Sequence, residues 1–148
     1  MANSTYQTTI FEVPGTVGLV GQANTLRTRV VTADVNSGKT LLPAVPGYKY
    51  QLLDAWMLAY GGAAGTCTSV NIAGTASAGA VQLVVFARTS LSQSTLLRAG
   101  ASGAVILADG ASFVELDANK AITLQAVSAT LATCTGIDVC ITYRVVEA

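Results

Sequence analysis

Histidine is absent from all 148 residues. That removes the side chain whose ordinary pKa lies nearest neutrality, and with it every Ser/His or Cys/His nucleophile pair. Charge is the second shortage: Asp, Glu, Lys and Arg make up 11% of the chain, against roughly a quarter of an ordinary soluble domain. Too few charges are left to coat a fully solvated monomer, so part of the surface is expected to lie against partners. The 8 basic residues balance the 8 acidic ones and form no runs. Neither a nucleic acid nor an anionic membrane is therefore an expected partner. The 3 cysteines, Cys67, Cys134 and Cys140, have no CxxC spacing and do not make a zinc pattern. They fit small buried hydrophobes, with a Cys67–Cys134 disulfide left open. Met1-Ala2-Asn3-Ser4-Thr5 lacks the basic start and apolar stretch of a signal peptide. The uncharged segment 55–87 is broken too often by Gly, Ser, Thr and Asn to supply a span of about 20 apolar residues. A soluble chain made in a cytoplasm is expected.

What is present is alternation. In Ile137 to Val146, Ile137, Val139, Ile141, Tyr143 and Val145 share one side, while Asp138, Cys140, Thr142 and Arg144 share the other. Thr25 to Asp34 places Arg27 and Arg29 opposite Leu26, Thr28 and Val30, which suits a sheet with one wet face. Tyr48 to Tyr60 is bounded by Pro46-Gly47 and Gly61-Gly62 and is rich in aromatics, so it is taken as a long strand with Trp56 in the core. Further strands are expected at Thr68 to Ala73, Val81 to Ala87, Ala104 to Ala108, Phe113 to Leu116 and Ala121 to Val127. Short pieces are expected at Val17 to Val20 and Lys39 to Leu42. Asp109-Gly110 between apolar runs suggests a hairpin, and Ser90 to Arg98, which lacks alternation, a short helix. GTCTSVNI (Gly65 to Ile72) and ATCTGIDV (Ala132 to Val139) echo each other faintly. About eight short strands separated by turn signals predict an all-β antiparallel sandwich, jelly-roll-like, over residues 26–148. Residues 1–25 form an N-terminal arm or edge segment.

Chemical motifs are few. Ala33 to Thr40, ADVNSGKT, approaches the phosphate-cradling GxxxxGK[ST] pattern, but Ala33 replaces the first glycine and Leu41-Leu42-Pro43 follows where a helix must run on. Glu115 and Asp117, two apart on an expected strand, have a spacing that a two-carboxylate glycosidase could use, yet a solvated pair is the plainer reading. Asp109, Glu115, Asp117 and Asp138 lie in no calcium-loop pattern. No catalytic, cofactor or metal site is expected, and the chain is not expected to be an enzyme. Trp56 with Tyr48, Tyr50 and Tyr60 could build a platform for a partner or a sugar.

The order LLPAVPGYKYQLLDAWMLAYGG, GTCTSVNIAGT, GAVQLVVFA and AITLQAVSATLATCTGIDVCITYRVV resembles the small β-sandwich decoration, or cement, proteins of tailed-bacteriophage heads. The resemblance spans Leu26 to Val146. It implies a jelly-roll-like fold, a homotrimer on the outer capsid surface, the major capsid protein as partner and a terminal arm that clasps it. The three cysteines depart from the type. On this view partner contacts are expected from the arm, through Tyr6, Ile10, Phe11 and Val13, and from the aromatic strand, through Tyr48, Tyr50 and Tyr60. The rival expectation is a glycan- or receptor-binding module of a phage tail or fibre.

Overall fold

The structure, a computed structural model, describes residues 10–13 and 16–148, with side chains from residue 20 onward. In chain order the strands are β1 (Ile10–Val13), β2 (Thr16–Leu19), β3 (Ala23–Val31), β4 (Lys39–Leu42), β5 (Tyr48–Tyr60), β6 (Ser69–Ala76), β7 (Gly79–Ala87), β8 (Leu97–Arg98), β9 (Ala104–Ile106), β10 (Ile122–Val127) and β11 (Gly136–Glu147). A single turn-and-a-half of helix, α1 (Thr32–Ser37), joins β3 to β4. β1 and β2 pair as a hairpin of their own. The rest form two antiparallel sheets, ordered β3-β11-β5-β8 and β4-β10-β6-β7-β9. With β9 set aside as an added edge strand, strands first, eighth, third and sixth face strands second, seventh, fourth and fifth. That is the order of a jelly roll, in which the chain wraps from sheet to sheet as two Greek keys.

Alternation in the sequence becomes the core. Ile137, Val139, Ile141, Tyr143 and Val145 of β11 are all inside, facing Val70 and Ile72 of β6, Ile122 and Leu124 of β10, and Phe86 of β7. Tyr50 meets Tyr143 edge-on at 5.8 Å and donates its hydroxyl to the Pro43 carbonyl at 2.7 Å. Burial pushes the Tyr50 phenol up to about 12, so it stays a neutral donor inside the sandwich.

β5 departs from simple alternation. Its register against β11 slips between Thr142 and Tyr143, which pair with Asp54 and Leu52, leaving Leu53 as an extra residue. Before this bulge Tyr50 and Leu52 point inward; after it Ala55, Met57 and Ala59 do. Trp56, Leu58 and Tyr60 are thereby turned to the outside. The expectation that Trp56 fills the core is corrected by that one residue.

Other local expectations also change. Ser90 to Arg98 is not a helix: a 3-10 turn at Arg88–Ser90 leads to β8, where Arg98 and Leu97 pair with Trp56 and Met57 of β5. Asp109 and Gly110 have the positive φ values, 56° and 73°, that a two-residue hairpin turn needs, but no hairpin forms there. The buried Ser112 hydroxyl accepts from the Leu107 N–H and donates to the Leu83 carbonyl, tying the turn to β7. Segment 113–116 then runs beside β5, with Leu116 N–H on the Tyr50 carbonyl at 2.7 Å and one bridge between Gln51 and Glu115.

The echoed segments mark a local twofold relation. Gly65 and Ala132 exchange N–H···O bonds of 2.9 and 3.1 Å, and the threonines that follow, Thr66 and Thr133, have φ of 63° and 65°. The Thr66 hydroxyl donates to the Thr130 carbonyl; the Thr133 hydroxyl donates to that of Ala63. Thr68 N–H reaches Val127 and Thr135 N–H reaches Tyr60. The loops carrying the chain from β5 to β6 and from β10 to β11 thus cross between the sheets as mirror roles of one another, each clasping the other.

Candidate functional site

The two sheets present unlike outer faces. On the four-stranded sheet, β3 contributes Arg27 and Arg29, β11 contributes Asp138, Cys140 and Arg144, β5 contributes Asp54, Trp56, Leu58 and Tyr60, and β8 contributes Arg98. Cys140 lies in register between Arg27 and Trp56, and the Arg27 guanidinium sits over the Trp56 ring, 5.4 Å from its centroid. Arg29 grips Asp138 with two bonds of 2.7 and 2.9 Å and stacks on Tyr60 at 4.2 Å. Those long side chains explain why Asp138 and Cys140 are only 6% and 8% exposed although both point outward. The hydrogen bonds from Arg29 hold the Asp138 carboxyl below the usual carboxylate range, against the opposing effect of burial. Arg98 pairs with Asp54.

A glycine makes the Tyr60 placement possible. A Cβ on Gly136 would lie 2.6 Å from the Tyr60 hydroxyl oxygen and 2.8 Å from its Cε1, and 2.2 Å from the Val30 carbonyl. The phenol therefore lies against the bare backbone of β11 at Gly136, with Arg29 over its ring. Charge on this face is unbalanced: Arg27, Arg29, Arg98 and Arg144 outnumber Asp54 and Asp138. Among the described residues Arg27 and Arg144 pair with no carboxylate.

The outer face of the five-stranded sheet is the opposite case. Across β10, β6, β7 and β9 the outward residues are Thr123, Gln125 and Val127, Ser69, Asn71 and Ala73, Gln82, Val85 and Ala87, and Val105. None carries a charge. Ser69, Asn71 and Ala73 are 4%, 3% and 6% exposed, being small residues between longer neighbours, whereas Val105 on the edge strand is 63% exposed. Asn71 donates to the Gln82 side-chain oxygen at 3.0 Å, but its own Oδ1 is buried and has no donor. An orphaned buried acceptor of this kind costs about 1–3 kcal/mol.

No family model, curated protein or solved structure matches this chain.

Of the residues expected to meet partners, Tyr6 lies outside the described residues, and Ile10, Phe11 and Val13 are in the β1–β2 hairpin. Tyr48 packs partly against the core and Tyr50 is 2% exposed within it, so Tyr60 is the member of the aromatic set on the outer face. The platform thus combines Tyr60 with Trp56, each ring carrying an arginine. Sequence reasoning found Arg27 and Arg29 on one face but missed their stacking, because the bulge that brings Trp56 beside Arg27 has no signal beyond the interruption at Asp54.

Glu115 and Asp117 are occupied apart from each other. Glu115 pairs with Lys49 at 2.6 Å; Asp117 accepts the N–H groups of Ser77 and Ala78 at 3.0 and 2.7 Å, stabilising the positive-φ turn between β6 and β7. The ADVNSGKT segment reverses the order a phosphate loop needs: α1 precedes Gly38-Lys39 and β4 follows. Asp34, Ser37, Gly38, Lys39 and Thr40 line an open hollow of about 270 Å³, and Lys39 is paired with Asp34 at 3.3 Å. Among the described residues no group of three or more Cys, Asp or Glu is placed to hold a metal, and no helix is long and apolar enough to cross a membrane. Cys67, Cys134 and Cys140 are all free thiols, so the Cys67–Cys134 disulfide left open by the sequence is not formed. Burial raises the pKa of all three.

Proposed function

We propose that this chain is a structural virion protein, a decoration or cement protein that binds the outer surface of a tailed-phage head as a homotrimer and stabilises it. The observation that supports the reading most is the uncharged outer face across β10, β6, β7 and β9. A face of Ser, Thr, Asn, Gln, Ala and Val without a charged side chain, and with Val105 63% exposed at its edge, suits packing against a further copy. The major capsid protein is the second partner. Many copies then tie neighbouring shell subunits together, so each contact needs only modest strength.

The rival module that stacks a glycan on exposed aromatics is less well supported, because guanidinium groups already lie over the rings of Trp56 and Tyr60. The test is co-sedimentation of the purified protein with expanded, undecorated heads of the phage that encodes it, followed by heating. Saturable binding with a raised disruption temperature is expected. Heads that sediment without the protein and break at an unchanged temperature would overturn the proposal.

A further inference from the structure

We infer that the arginine and aromatic outer face of the four-stranded sheet is the surface that grips the head shell, and that it takes a protein surface bearing carboxylates. This rests on the decoration reading and adds which face binds the shell and the chemistry it meets.

The whole chain is neutral, yet on this face arginines exceed aspartates. Asp138 and Asp54 are already engaged by Arg29 and Arg98, so among the described residues Arg27 and Arg144 have no ion pair of their own. Arg27 is held over Trp56 with its fork free for a bidentate carboxylate. Tyr60, pressed on Gly136 and covered by Arg29, is fixed before any partner arrives, which lowers the entropy lost on docking. Trp, Tyr and Arg are also the residues that carry most binding energy at protein interfaces.

A nucleic acid fits less well. Its bases need open aromatic faces to stack on, and here both rings are capped by guanidinium groups. A carboxylate needs only the outer edge of those groups.

The test compares Arg27→Glu and Arg144→Glu with Lys120→Glu, which makes the same charge change at an exposed turn that leads into β10 of the other sheet. Each protein is titrated onto expanded, undecorated heads at low and high salt. The first two variants are expected to bind at least about tenfold more weakly and with a shallower salt dependence. The control should stay within about twofold of the wild type, and all should keep the wild-type oligomeric state and β-sheet circular dichroism.

If the wild type binds heads and the two arginine variants bind equally well, the docking face is wrong while the decoration reading stands. If the wild type does not bind heads, both fall. Arginine variants that dissociate the oligomer instead would reassign the face to contact between copies. Displacement of the wild type from heads by a single-stranded DNA oligonucleotide would reassign it to nucleic acid. Each of those last two results also overturns the inference.

Discussion

Gly136 shows how much of this surface hangs on single residues. Its missing side chain lets Tyr60 lie on β11, and that ring in turn supports Arg29 and its clasp on Asp138. In Gly136→Ala the new methyl group meets the Val30 backbone carbonyl as well as the ring, so displacing the ring alone does not make room for it. A loss on the order of 1–3 kcal/mol is expected, measured by chemical denaturation, together with a less ordered Tyr60 in NMR or fluorescence. A variant as stable as the wild type would show that the ring is not held there. Residue identity alone did not reveal this device. A glycine at a strand start resembles any other turn residue until its cross-strand neighbour, Tyr60, is known.

At the level of elements, side chains tie the sheet crossings together. Helix α1 is too short to persist by itself. It is anchored by buried Val35 and by Asn36, whose amide donates to the Leu131 carbonyl at 3.1 Å and accepts the Leu131 N–H at 2.6 Å. Asn36→Ala leaves both Leu131 groups without those partners and is expected to cost about 1–3 kcal/mol, seen as a lower denaturation midpoint and faster amide exchange at Leu131. No change in either would mean that the crossing is held by the threonine contacts instead. β3 and β11 were legible in the sequence because each has one wet and one dry face, so period two survives intact. β5 was legible as a strand but not in its facing, since one added residue reverses every later side chain. β8 was hidden because two residues carry no period at all. α1 was hidden because its six residues bury only one apolar side chain.

For the molecule as a whole, the shortage of charge noted in the sequence is not spread evenly. The outer face across β10, β6, β7 and β9 has none, while the face across β3, β11, β5 and β8 gathers arginines. Composition could indicate covered surface; only the strand order could say where it lies, because the outward residues come from segments far apart in the chain. A jelly roll with such unlike sides suits a subunit that packs against copies of itself on one side and a shell on the other. Sedimentation velocity of the wild type and of Val85→Lys, which sets a charge at the middle of the uncharged face, tests this most directly. The wild type is expected to sediment as a trimer and Val85→Lys as a monomer with unchanged β-sheet circular dichroism. A wild type that stays monomeric across the accessible concentration range, or a Val85→Lys trimer as robust as the wild type, would contradict it.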